Sequence, residues 1–144
     1  MIQMLIQVAA GSCDRKIYKE STLEYLGTQP GSQPYPYPYG FIVGTSAEDG
    51  ACVDCYLITR EKVTAGSIVE CEPVGLLLQN EAGEIDHKIL AVLPGQEAVL
   101  SPELLQELQG FIHSIFRDAD MEIRVGPILP REAALDHLEK SGTA

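Results

Sequence analysis

The chain has 144 residues, 21 acidic and 10 basic, for a formal charge of −11. That length suits one domain running from 1 to 144, and a content of 45% hydrophobic and 22% charged residues is globular rather than disordered. The acidic excess argues against a nucleic-acid binder, which needs a basic face, and disfavours adsorption to an anionic membrane, whereas a polyanionic ligand stays admissible if metal ions stand between it and the carboxylates.

Residues 1–10 are apolar but lack a basic flank and carry Gln3 and Gln7. They predict a strand rather than a signal peptide, so a cytoplasmic protein with reduced thiols is expected. No run has the length needed to cross a bilayer. Ile2, Met4, Ile6 and Val8 recur with the period of a half-buried strand. Further strands are predicted at residues 15–19, 41–44, 52–59, 67–79 and 88–93, which are rich in Val, Ile, Leu and Tyr and bounded by Gly and Pro. A polar loop is predicted from Leu26 to Gly40, of a length that marks functional loops. Ser101-Pro102-Glu103 then reads as a helix start, because Ser caps, Pro fits the first turn and Glu complements the dipole. Leu104, Leu108, Phe111, Ile112 and Ile115 follow at helical spacing. Residues 121–125 predict a last strand. Pro130 opens a second helix, with Ala134, Leu135 and Leu138 on its inner face and Gly142 beyond its end. Strands followed by two helices predict an α+β fold with a closed or nearly closed barrel.

Three segments carry chemistry. In Tyr35-Pro36-Tyr37-Pro38-Tyr39-Gly40-Phe41-Ile42 the Pro–Tyr alternation reads as a polyproline ligand, as a stiff loop, or as a set of hydroxyls able to donate to phosphate oxygens. In Asp49-Gly50-Ala51-Cys52-Val53-Asp54-Cys55, Asp54 falls inside an apolar strand, where a carboxylate is costly unless paired, metal-bound or turned to solvent on an edge. Cys52 and Cys55 have a C-x-x-C spacing, but Cys13 and Cys71 are isolated singles and the pair lies on a strand. Core packing is favoured over a zinc or redox role. In the segment from Asn80 to Lys88, a polar hairpin accounts for Glu81 and Glu84. It accounts less well for Asp86 and Lys88 on one strand face. A carboxylate beside an ammonium suits a metal–phosphate complex. His87, His113 and His137 read as scattered surface or packing residues, with His87 nearest these motifs.

Taken in order, these segments resemble the soluble inorganic pyrophosphatases of the single-domain, barrel-forming type. That family has a Tyr-Pro-x-x-Tyr-Gly-Phe-Ile segment, an Asp-x-Asp-Pro-x-Asp signature and a Gly-Glu-x-Asp-x-Lys strand entry, matched here at Tyr35 to Ile42, Asp49 to Asp54 and Gly83 to Lys88. The resemblance covers roughly residues 7–140. It implies an OB-like five-stranded barrel with two C-terminal helices packed on it, and Mg2+-dependent hydrolysis of pyrophosphate, or a related diphosphate, by metal-activated water. Asp49, Asp54 and Asp86 would bind the metal, with Glu81 as a further acid. Mg2+ suits these hard oxygens, with Mn2+ as the alternative. Lys16, Tyr39 and Lys88 would hold phosphate oxygens, Tyr35 would support the site and Arg117 would stand in for the family's terminal lysine. By the same resemblance Asp54 and Lys88 would be the catalytic pair. A homo-oligomer, such as a hexamer, is implied by the same resemblance.

The departures matter equally. The middle aspartate of the signature is Ala51, followed by Cys52 instead of proline. Gln7 and Tyr18 stand where the family has glutamates, Gly27 lies near the place of its arginine, and Phe116 replaces a phosphate-binding tyrosine. Arg15, Lys19 and Arg124 are candidate replacements for the missing cation. Two readings follow: a metal-dependent diphosphate hydrolase, and an impaired relative that binds metal, phosphate or a protein partner without turnover.

Overall fold

In the computed structural model, which describes residues 1–46 and 50–142, the elements in chain order are β1 (Ile2–Val8), β2 (Arg15–Lys19), β3 (Glu24–Gln29), β4 (Tyr39–Ile42), β5 (Asp54–Leu57), β6 (Ile68–Glu81), β7 (Glu84–Ile85), β8 (Lys88–Val92), α1 (Pro102–Ile115), β9 (Ile123–Pro130) and α2 (Arg131–Lys140). Five strands pair in a closed ring. β1 is antiparallel to β4 and β4 to β5; β5 runs parallel to β8; β8 is antiparallel to β6, which returns to β1. The ring and the two helices bear out the expected OB-like architecture. β6 has 14 residues, which lets it pair with β1 at its start and with β8 and β9 further on.

The ring strands bury side chains on both faces. Cys55, Leu57, Ile89 and Ala91 face one apolar cluster, which α2 closes with Ala134 and Leu138. Tyr39, Tyr56, Leu77 and Leu90 face the other, which α1 closes with Leu104, Leu108, Phe111 and Ile112. Alternate residues of each strand therefore serve opposite cores, the pattern of a strand covered on both sides. Gly40 is required by close packing, since a Cβ there would overlap the Leu5 carbonyl oxygen. At the start of α1, Ser101 Oγ accepts a hydrogen bond from the Leu104 N–H at 3.2 Å, the cap anticipated from its position before Pro102.

Four expectations are corrected. β1 is not half-buried: every residue but Gln3 is buried. The Gln7 amide lies beneath the β2–β3 hairpin, donating from Nε2 to the Lys16 carbonyl at 3.0 Å. The loop from Leu26 to Gly40 begins inside β3, which pairs with β2 as a separate two-stranded sheet. The strand expected at residues 121–125 starts later, at Ile123, and runs on to Pro130, which ends it as the N-cap of α2. Leu135 is 45% exposed, because α2 presents Ala134 and Leu138 to the core, and Leu135 lies one residue round from that face. No helix of the described residues is long and apolar enough to cross a membrane.

Candidate active site

The β5–β8 register sets the site. Cys55 lies opposite Ile89, which brings Asp54 beside Lys88 on the face closed by α1. Asp86 stands two residues before Lys88, its N–H donating to the Gln79 carbonyl at 3.0 Å. The Lys88 ammonium therefore donates to both carboxylates, 2.7 Å from Asp54 Oδ2 and 2.8 Å from Asp86 Oδ2. It also donates to the Tyr39 hydroxyl at 3.2 Å. The Lys88 side chain is 5% exposed and those of Asp54 and Asp86 19% and 21%, so the cation is covered while the acids border the cavity. Burial alone would push Lys88 down. The two carboxylates outweigh it and hold the ammonium above the ordinary lysine range.

Tyr39 lies on β4 opposite Tyr56 of β5, and their ring centroids are 4.8 Å apart. Tyr35 packs 5.4 Å from Tyr39 and 4.6 Å from Phe111 of α1. Burial raises both Tyr35 and Tyr39 above the usual phenol value, Tyr39 strongly, so each keeps its proton and can donate it. The Tyr37 hydroxyl points elsewhere, donating to Glu107 at 2.6 Å.

These groups line a cavity of about 380 Å³, together with Arg15, Glu20, Ala51, Tyr56, Gln79, Glu81, Ile112, Ile115 and Phe116. A larger groove of about 890 Å³ runs past Tyr37, Arg60 and the first turn of α1. The smaller cavity is the better candidate, because convergent charged groups rather than volume define a site for charged ligands. Its described lining holds four acids (Glu20, Asp54, Glu81 and Asp86) and two cations (Arg15 and Lys88).

Of the residues anticipated from sequence, Asp54, Asp86, Glu81, Lys88, Tyr35 and Tyr39 meet in this cavity. Asp49 lies outside the described residues. Lys16 is not part of the lining: its ammonium sits 5.2 Å from the ring of the exposed Tyr25. Arg117 is exposed beyond the end of α1 and is absent from the lining too. Lys19 is exposed, and Arg124 pairs with Glu122 at 2.9 Å on the surface. The cation that reaches the site is Arg15, its Cζ 5.7 Å from the Tyr39 ring and its Nε buried without a hydrogen-bond partner. Gln79, 1% exposed, likewise leaves Oε1 unpartnered. The histidines are less scattered than expected: the His87 and His137 rings are 5.7 Å apart, and His87 Nδ1 accepts from the Gln79 N–H. Cys55 and Cys71 are buried free thiols, while Cys13 and Cys52 are half-buried.

The donor set suits a hard divalent cation. Burial and the neighbouring Asp86 push the Glu81 carboxyl up to about 7. Such crowding of acids is what a cation relieves. Among the described residues, no three His, Cys, Asp or Glu side chains already stand close enough to enclose an ion. A prediction follows for the metal-free protein. Because Glu81 binds its proton more tightly folded than unfolded, its contribution to stability is full below the unfolded value of 4.5 and is lost as pH rises through about 7. The urea midpoint should fall across that window, and Glu81→Gln should remove the fall.

The fold and the charged cluster define a β-ring protein with a carboxylate-rich cavity built around a buried lysine. The family model for inorganic pyrophosphatase matches residues 12–118, and the chain belongs to that family. It is similar to the inorganic pyrophosphatase of Nanoarchaeum equitans, with 35% identity over 91 residues covering 63% of this chain and 57% of that protein. It is similar to the soluble inorganic pyrophosphatase of Oryza sativa, with 30% identity over 115 residues covering 74% of this chain and 54% of that one. The chain thus spans about half the length of these curated relatives. Among solved structures, that of the inorganic pyrophosphatase of Thermus thermophilus superposes with a TM-score of 0.81 at 27% identity, covering 96% of this chain and 87% of that one.

Proposed function

We propose that the chain hydrolyses inorganic pyrophosphate to phosphate in a metal-dependent reaction, with Mg2+ as the ion and Mn2+ as its substitute. The reading is carried by the buried Lys88 ammonium held 2.7 and 2.8 Å from Asp54 and Asp86, on the segments through which the chain matches the family. Asp54, Asp86 and Glu81, together with Asp49, are the oxygens that would hold the ion. When bound, the ion supplies a nucleophilic water near neutral pH and neutralises charge on the leaving phosphate. Lys88 fixes the orientation of both aspartates. It also donates to the Tyr39 oxygen, which frees the Tyr39 proton for a phosphate oxygen. Tyr35 braces Tyr39 from the α1 side. Arg15 takes the substrate-binding role anticipated for Lys16 and Arg117. By family resemblance the protein acts in the cytoplasm as a homo-oligomer, a hexamer that size-exclusion chromatography would reveal.

The decisive experiment measures phosphate release from pyrophosphate with Mg2+ and with a chelator. Release that stops on chelation is expected. Release unaffected by chelation would overturn the reading. A second reading, binding without turnover, is favoured by Ala51, which borders the cavity where the family carries an aspartate. Calorimetric binding of pyrophosphate with no release over hours would select it. On the enzymatic reading, Ala51→Asp restores a basic oxygen near the attacking water. It should raise kcat by about tenfold or more, part of the typical worth of a general base.

A further inference from the structure

The active-site cavity has a neighbour. A second hollow of about 210 Å³ is lined by Cys13, Arg15, Gln29, Pro30, Gly31, Ser32, Gln33, Tyr35 and Ile115. It shares Arg15, Tyr35 and Ile115 with the 380 Å³ cavity, so the two abut across these three side chains. The annex is built by main-chain ties. Tyr35 N–H donates to the Ser12 carbonyl at 3.0 Å, and Gly11 N–H donates to the Tyr35 carbonyl at 2.8 Å. Gly31 lies so close that a Cβ there would stand 2.5 Å from the Cys13 carbonyl oxygen.

The chemistry of the two hollows differs. The main cavity gathers the charged groups, but its wall on the α1 side is Ile112, Ile115 and Phe116. Inorganic pyrophosphate is a symmetric polyanion that calls for donors or cations around both phosphates. Here Lys88 is already engaged by two carboxylates, and the remaining cation of the described lining, Arg15, stands at the junction with its Nε unpartnered. Beyond Arg15 the annex side chains, Gln29, Ser32 and Gln33, are polar and uncharged. They suit hydroxyls or amides rather than a second phosphate.

We propose that this site takes a diphosphate monoester whose neutral, hydroxyl-bearing organic group occupies the annex. The inference rests on the diphosphate-hydrolase reading above and names its substrate class. Arg15 grips the ester phosphate at the junction, and the terminal phosphate lies among Asp54, Asp86, Lys88 and Tyr39. Such a ligand carries one negative charge fewer than inorganic pyrophosphate when both are fully ionised, which suits a lining short of cations. Water attacks the terminal phosphorus, the bond from that phosphorus to the bridging oxygen breaks, and the organic monophosphate leaves. The products are the organic monophosphate, orthophosphate and a proton.

The test compares ADP and UDP, as diphosphate monoester probes, with inorganic pyrophosphate on the full chain with Mg2+. Both should release phosphate, with a KM below that of pyrophosphate. Filling the annex with Ser32→Trp should raise the ratio of the nucleotide KM to the pyrophosphate KM by about tenfold or more, because a blocked subsite is lost only to the ligand that uses it. Gln33→Leu, which removes a hydrogen-bonding group without filling the hollow, should shift the ratio in the same direction. Turnover of pyrophosphate but of neither nucleotide would overturn the proposal and leave the parent reading standing. An equal effect of Ser32→Trp on all substrates would overturn it too. If nothing is turned over, the parent reading fails and calorimetry decides: ADP bound more tightly than pyrophosphate, with the preference lost in Ser32→Trp, supports the annex, and ADP not bound overturns it.

Discussion

Lys88→Met is expected to cost about 3 kcal/mol of stability and to lower kcat/KM for pyrophosphate by about 10²–10³-fold. The side chain reaches Asp54 and Asp86 from a position that is almost fully covered, and methionine keeps its length without its charge. Removing one partner of a buried ion pair is costly mainly because the other is left uncompensated. Here two carboxylates are left facing each other. They border a cavity and can draw in water, which places the loss toward the low end of the usual range. A divalent ion can replace the missing charge, so Mg2+ should raise the urea midpoint of Lys88→Met more than that of the unmodified chain. Equal stabilisation of both proteins by Mg2+ would mean the carboxylates do not share a cation. The activity loss follows separately, since Tyr39 loses the donor that fills its oxygen, and both acids lose the group that orients them.

How far this arrangement could be read from sequence depended on how local each feature is. Asp86 and Lys88 are two residues apart, so strand geometry alone places them on one face, and Asp54 was flagged because an apolar strand does not hold an unpaired carboxylate. The ring strands were legible as short apolar or alternating runs bounded by Gly and Pro, and their closure as five strands was implied by the family resemblance. β3 was not: its residues are exposed but for Gly27, so it has no hydrophobic period, and its pairing with β2 alone reveals it. The same hairpin explains the exchange of Lys16 for Arg15. Adjacent residues of a strand point to opposite faces, and on β2 it is Arg15, not Lys16, that borders the cavity. Neither residue lies in an apolar alternation that would mark which face is turned inward. Gln79 was missed for a related reason, since an amide in a long apolar strand looks like a solvent-facing position until β6 is seen to be covered on both sides. The annex was invisible because it is assembled from two loop segments, residues 11–13 and 29–35, joined by backbone bonds.

The charge of −11 takes on a more specific meaning in this geometry. In the described lining of the cavity, acids outnumber cations by 4 − 2 = 2, so the site repels a polyphosphate until a divalent ion enters. On the proposed function, electrostatics should set the order of binding, metal before or with the anion.

Asp54→Asn tests that dependence with the least disturbance of the fold. Asparagine is close to isosteric, and Lys88 keeps its bonds to Asp86 and Tyr39, so the ring and the aromatic stack should persist and the urea midpoint should move little compared with Lys88→Met. What changes is one formal charge at the strand position that faces both Lys88 and the cavity. Hydrolysis of pyrophosphate should fall by about 10²–10³-fold, the range seen when one group that stabilises transition-state charge is removed. Mg2+ binding in calorimetry should weaken in parallel, since a neutral amide oxygen is a poorer ligand for a hard cation than a carboxylate. The two readouts separate the roles of the residue. A loss of turnover that excess Mg2+ recovers would make Asp54 chiefly a metal ligand. A loss that persists at saturating Mg2+ would make its charge part of the chemical step. Turnover within about tenfold of the unmodified chain would sink the assignment of Asp54 altogether, and the catalytic role would then pass to Asp86 and Glu81 on the opposite side of Lys88.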